Sequence, residues 1–421
     1  MSTKALTVGF FGLSHLGIVS AISLGSKSIK TIGIDQDSQL VDDLNRRKWP
    51  IQEPDLDTVY VAAKDFVNFS ASLDSLGKCD IIYISRDVPT DHAGRSDLSG
   101  IENLIQQASQ RISRDSILVI LCQVPPGFSR RMLQYHPNIY YQVETLIFGR
   151  AFVRANLPER IIVGAMHPNQ PISKKYQEVL DRFACPILIM DYESAEFTKI
   201  CINAFLAASV TTTNSLNTIS NMLGANWGDI KRALQLDKRI GTYAYLQPGL
   251  GISGGNIERD LQTLNDLVQL YGLNESLFET FLNNSSHQKN WIFETITAEI
   301  LNKNLQAKIG ILGLAYKENT NSTKNSMALE VIRKFRHQIS GYYDPIAELP
   351  EGMETVRVFS TSHDCIANSD AIVVMTPWKE FSDLDFAQIQ ASKMEGFVII
   401  DPYATLNRAL LPVGVLVKGL S

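Results

Sequence analysis

Short, mostly apolar runs punctuate the chain, and stretches with helical spacing separate them. In the first half they cover residues 6–11 (LTVGFF), 31–35 (TIGID), 79–85 (CDIIYIS), 116–122 (SILVILC), 138–143 (NIYYQV) and 160–164 (RIIVG). Runs apolar on both faces belong to a sheet covered on both sides, and β–α alternation gives a parallel, doubly wound sheet. The last third restarts the pattern at 307–315 (AKIGILGLA), with further strands ending at Gly341-Tyr342-Tyr343-Asp344-Pro345 and at 371–375 and 397–401. Between the two series, no proline or glycine interrupts Glu193 to Leu223, and Gly224 supplies a stop. The pattern predicts an α/β protein: two doubly wound domains joined by a long central helix and a helical middle domain. The boundaries fall at 1–190, 191–300 and 301–421.

The first strand runs into Gly12-Leu13-Ser14-His15-Leu16-Gly17, then a helix, then a strand ending in Asp35. Strand, glycine turn, helix, strand and acid make a dinucleotide-binding βαβ unit. Gly12 permits a tight turn, Gly17 lets the helix approach the strand, and the helix N-terminus offers amides to a pyrophosphate. Ser14 breaks the fingerprint at its middle glycine. Asp35 restores the case, because a carboxylate there binds the ribose hydroxyls and repels a 2′-phosphate, favouring NAD over NADP. The competing reading is a βαβ unit that binds no dinucleotide. Strand C-terminal ends draw attention to Pro89, Gln123 and Glu144.

In the middle stretch Phe197, Cys201, Ala204 and Ala208 form an apolar stripe at helical spacing. Lys199 and Asn203, four apart, point the same way. Spacing alone favours a solvated lysine beside a surface asparagine. A helix of this length suits a domain linker or a dimer core. The glycine-rich run 247–255 comes next, and Asp260 is expected to open another amphipathic helix through Leu261, Leu264, Leu267 and Leu270.

Composition narrows the picture. The 421 residues are 45% hydrophobic and 20% charged, a globular balance, with net charge −5. No basic field exists for nucleic acid or an anionic membrane. The five cysteines lack metal or disulfide spacing, which points to a reducing compartment, the cytoplasm. Glycines, Ser14 and His15 interrupt the apolar N-terminal run, which argues against a secretion leader.

Several motifs in order resemble the UDP-glucose/GDP-mannose dehydrogenase family over essentially the whole chain. They are Gly33-Ile34-Asp35, Pro158-Glu159-Arg160-Ile161, Lys199 with Asn203-Ala204-Phe205-Leu206-Ala207, Asp237 with Arg239-Ile240-Gly241, Gly313-Leu314-Ala315-Tyr316-Lys317, Tyr343-Asp344-Pro345 and Thr376-Pro377-Trp378. The resemblance implies two Rossmann-like domains and NAD-dependent oxidation at sugar carbon 6 of a nucleotide sugar, UDP-linked by default. It also implies a homodimer serving polysaccharide synthesis. It implies that Lys199 and Asn203 stabilise the substrate oxygen, that Asp260 accepts the alcohol proton, and that Glu144 is the base for a hydrolytic step. Gly12, Ser14, His15, Leu16, Gly17, Asp35, Pro89 and Gln123 would surround the cofactor, with Lys324 where the family has a cofactor-facing arginine. Arg239, Lys317, Gly251, Gly254, Gly255 and Tyr403 would hold the nucleotide sugar.

The departures cluster in that same site. The family's nucleophilic cysteine is Asn256, and no cysteine lies between Cys201 and Cys365. The proline and lysine after it are Glu258 and Arg259, a threonine is Gln123, a "GTP" run is Asp87-Val88-Pro89, and a C-terminal arginine is Tyr403. A carboxamide forms no thioester. Three outcomes remain open at this point: a two-electron oxidation to a carbonyl, a four-electron oxidation through a hydrate with Glu144 or Glu258 as base, or a non-catalytic binder.

Overall fold

The computed structural model describes residues 5–90, 95–353, 355–386 and 396–420. They form two compact units, Met1–Ile202 and Asn203–Ser421. In the first, eight strands make one sheet: β1 (Thr7–Phe11), β2 (Lys30–Ile34), β3 (Val67–Ser70), β4 (Ile81–Ile84), β5 (Ile117–Ile120), β6 (Ile139–Gln142), β7 (Ile161–Ala165) and β8 (Ile187–Asp191). Their order is β3-β2-β1-β4-β5-β6-β7-β8. Alternate side chains serve opposite faces. Phe10 joins one core with Ile117 and Val119, and Phe11 joins the other with Leu118 and Ile120. The strand order reverses direction between β1 and β4, the place where open α/β sheets bind ligands.

The expectation of a fully parallel sheet needs one correction. β6 and β7 pair antiparallel. The segment between them carries only the short helix Ala151–Asn156 instead of a full crossover helix. Strands β3 and β8 also lie outside the runs singled out in the sequence.

The second unit holds a five-stranded parallel sheet of β9 (Ile309–Leu312), β10 (Ile339–Tyr343), β11 (Ala371–Val374), β12 (Val398–Ile400) and β13 (Leu416–Lys418), ordered β10-β9-β11-β12-β13. The long helix runs from Tyr192 to Met222, and its buried face differs from the expected stripe. Phe197 is exposed and Cys201 half-buried, whereas Glu196, Lys199, Asn203, Thr213, Asn214, Asn217 and Ser220 are buried. Backbone capture explains the burial of the helix's C-terminal half. Thr213 Oγ1 donates to the Tyr245 carbonyl at 2.9 Å, and Asn214 Oδ1 accepts from Gly249 N at 2.9 Å. Asn217 and Asn221 both donate to the Leu420 carbonyl, at 2.6 and 2.5 Å. The polar face exists to satisfy loop backbone that would otherwise be unpaired.

The helix expected to open at Asp260 begins earlier, at Asn256, and ends at Leu270, which is exposed. Gly255 precedes it in the left-handed region, so the chain breaks there and Asp260 falls in the second turn.

Candidate active site

The first unit contributes a glycine turn and a buried cation. Gly12 adopts φ +91°, where a side chain is strained. A Cβ on Gly17 would lie 2.5 Å from the Gly12 carbonyl oxygen, so only glycine lets this helix (His15–Ser26) sit so close to the turn. Asp35, beyond β2, accepts from Leu13 N at 2.7 Å and from Asp37 N at 3.1 Å. The turn and its acid are therefore tied together and suit a dinucleotide pyrophosphate and ribose. Ser14 has a job of its own: its Oγ donates to the Ser85 carbonyl at 3.2 Å and accepts from Asp87 N at 2.8 Å. Leu16 is buried. His15 Nε2 lies 2.9 Å from Glu53 Oε1, not aligned for a hydrogen bond, and its ring packs edge-on against Phe148. Pro89 and Gln123 lie past the C-terminal ends of β4 and β5.

Lys199 is 9% exposed, and its Nζ lies 3.5 Å from Glu144 Oε2. The other Glu144 oxygen accepts from Leu146 N. Sequence reasoning missed the group beneath this pair. Glu196, one turn before Lys199, accepts from Gly127 N at 2.5 Å and Ser129 N at 2.7 Å, tying the loop after β5 to the long helix. Burial pushes its carboxyl up, and those amides pull it back down.

The second unit holds a buried acid. Asp260, 2% exposed, accepts from Asn203 Nδ2 at 2.5 Å and from Arg259 Nε at 3.2 Å. Arg259 is itself buried. Asn256 occupies the first position of the same helix and is exposed. Glu258 is held on both oxygens: Lys289 Nζ donates to Oε1 at 2.7 Å and Asn325 Nδ2 to Oε2 at 2.9 Å. That bond places the Lys324 loop beside Gly255, with Lys324 Cε 3.4 Å from where a Gly255 Cβ would stand. The Tyr316 ring covers Gly254, with Lys317 Nζ 5.5 Å from its centroid, and Tyr403 lies against Gly249. Gly251 packs on Ser285, whose Oγ accepts from Ile252 N. Arg239 stands apart from this group, its side chain 88% exposed and clipped to Asp237.

No cysteine offers an activated thiol. All five are free, and burial raises every one; Cys79 and Cys365 are pushed up to about 12. Reactive thiols need the opposite environment, one that favours the thiolate.

A glycine turn tied to a ribose-type acid at the next strand end is the arrangement of a dinucleotide-binding unit. Three family models match the chain: the NAD binding domain of the UDP-glucose/GDP-mannose dehydrogenase family over residues 6–183, its central domain over 193–285 and its UDP binding domain over 310–408. The chain belongs to the UDP-glucose/GDP-mannose dehydrogenase family. It is accordingly an NAD-dependent oxidoreductase acting on a CH–OH group of a nucleotide sugar. Among relatives, the UDP-glucose 6-dehydrogenase of Rickettsia bellii is 26% identical over 415 residues, covering 94% of each chain. That of Drosophila melanogaster is 26% identical over 421 residues, covering 90% of this chain and 88% of the other. The fold matches a UDP-glucose dehydrogenase from Pyrobaculum islandicum, with a TM-score of 0.84 at 21% identity over 100% of this chain and 98% of that one. Among the described residues, no helix is long and apolar enough to cross a membrane.

Proposed function

We propose that the chain oxidises a UDP-sugar at carbon 6 by two electrons and releases a carbonyl product. The observation that carries this reading is that none of the five cysteines is an activated thiol and that none lies between Cys201 and Cys365. When bound, NAD supplies the hydride acceptor. Asp260 takes the hydroxyl proton, and Asn203 and Arg259 hold its carboxylate in place. Lys199 and Asn203, one turn apart in the long helix, stabilise negative charge developing on the substrate oxygen. One C–H and one O–H bond break as one C=O bond forms. The product is an aldehyde, or a ketone where the substrate carbon is a secondary alcohol. Asn256 stands in the nucleophile's place and forms no thioester, so oxidation stops there.

A four-electron route through the aldehyde hydrate is the second reading. Glu144 favours it, as the carboxylate beside Lys199. Glu258, held by Lys289 and Asn325, is the alternative base for this route. Borodeuteride treatment of the product distinguishes the two. A carbonyl takes up one deuterium and returns the starting sugar; a carboxylate takes up none and overturns the proposal.

We also propose a cytoplasmic homodimer built on the exposed side of the long helix. Leu216, Ile219 and Met222 recur every three residues there, and Phe205 is 80% exposed. Isolated soluble chains rarely leave such a stripe uncovered. A light-scattering mass of two chains supports this, and a mass of one chain refutes it.

A further inference from the structure

The helix that opens the cofactor site is tied to the loop that carries Glu144. His15 is the first residue of that helix, whose opening turn suits a pyrophosphate. Its imidazole turns inward: the side chain is 11% exposed, and Nε2 lies 2.9 Å from Glu53 Oε1. The Glu53 side chain has no exposure to solvent. Its Oε1 also accepts from Gly149 N at 2.7 Å, and Oε2 accepts from Ala151 N at 3.0 Å. Both amides belong to the segment after β6. Phe148 of that segment packs edge-on against the His15 ring, with centroids 4.3 Å apart. At the start of the segment, Glu144 lies 3.5 Å from Lys199 Nζ, and the Thr145 carbonyl accepts from Arg154 Nε at 2.6 Å. Residues 144–151 are thus held beside Lys199 at one end and by Glu53 and His15 at the other.

A carboxylate taken out of water needs donors around it. Two loop amides and the imidazole of the cofactor helix meet on this one carboxylate, so a single charge holds both segments. The imidazole contact is close yet out of line, and Nε2 makes no aligned hydrogen bond. Hydrogen-bond strength falls steeply with angle. A small shift of the helix start, as a pyrophosphate settles on it, therefore changes how firmly Glu53 is held.

We propose that His15 and Glu53 are positioning residues that transmit the seating of NAD to the loop carrying Glu144, and through Glu144 to Lys199. The inference rests on Lys199 acting on the substrate oxygen, as proposed above. Hydrogen–deuterium exchange of residues 144–151, read on the full chain with and without NAD, tests the link. In the intact chain NAD is expected to slow exchange there on the order of tenfold, a coupling of ordinary size. His15→Phe keeps a ring against Phe148 and loses Nε2, and Glu53→Gln removes the charge. Both variants should still bind NAD, within about threefold of the intact chain, while the slowing disappears. Their kcat should fall about tenfold with the KM for NAD little changed, because the loop is misplaced and the cofactor seat is not. His15→Leu carries the same expectations and guards against one variant failing to fold. If NAD leaves the exchange unchanged in the intact chain, or slows it equally in the His15 variants, His15 and Glu53 do not position the loop. Lys199→Met separates the two readings: an unchanged kcat overturns the role of Lys199, whereas the exchange data alone decide the link.

Discussion

The two units contain the same turn put to different uses. After β1, Gly12 has φ +91°, and Asp35 at the end of the neighbouring strand accepts from Leu13 N at 2.7 Å. After β9, Gly313 has φ +94°, and Asp344 accepts from Leu314 N at 2.7 Å. The segments leaving the two turns differ. A helix begins at once after the first, aiming free amides over the sheet edge. A polar loop leaves the second, and its helix starts only at Met327. The acids differ as well. Asp344 also accepts from Ala315 N, Ile346 N, Ala347 N and Trp378 Nε1. Asp35 has two amide donors and capacity left for a ligand. A strand–glycine–acid pattern therefore marks a turn, while binding depends on unspent hydrogen-bonding capacity beside it.

The largest expected effect tests the division of labour between the units. Asp260→Asn should lower kcat by about 10²–10⁴-fold, the usual contribution of a positioned base, and leave NAD affinity unchanged. Stopped-flow NADH formation checks the first part and NAD titration the second. Next, Asp344→Ala should destabilise the protein by about 3–5 kcal/mol in urea titrations, because several amides and an indole lose their acceptor. NAD affinity should hold. Asp35→Ala should do the reverse, weakening NAD about 10–100-fold with a smaller loss of stability, since about 1.4 kcal/mol goes with each factor of ten. If both aspartates affect NAD alike, the comparison fails.

The smallest effect concerns Glu196. Burial raises its carboxyl above the ordinary 4.5, so the folded state binds this proton more tightly than the unfolded chain. The resulting stabilisation is full below pH 4.5 and disappears as pH climbs through the raised folded value. Glu196→Gln should flatten stability against pH in that window, read from urea midpoints across pH. An unchanged slope would mean that another group sets it.

Much of the fold was legible because fully buried strands of parallel sheets advertise themselves as apolar runs. The strands overlooked were half-covered or short. In β3 buried and exposed residues alternate, and β13 has three residues. The long helix was legible in extent and misleading in orientation. Of its apolar stripe Phe197 is exposed and Cys201, Ala204 and Ala208 are half-buried, while asparagines and threonines that hold loop carbonyls and amides are buried. Hydrophobic periodicity reports where apolar residues lie, and here the buried partners were backbone groups. Among the candidate site residues, Gly12, Gly17 and Asp35 stand out by spacing, whereas Lys199 and Asp260 rest on the resemblance, and the structure buries both. Ser14 and Asp87 each looked like a lost motif residue. Their bond joins positions 73 apart in sequence, which no local pattern reveals.

The proposed end of oxidation at the carbonyl, for want of a thiol, is tested most directly by counting NADH formed per nucleotide sugar consumed. The product's mass is read alongside, across UDP- and GDP-hexoses, N-acetylhexosamines and heptoses. About one NADH per sugar and a product two hydrogens lighter than the substrate is the predicted result. About two NADH and a carboxylate would contradict it, and would mean that water directed by Glu144 has replaced the cysteine.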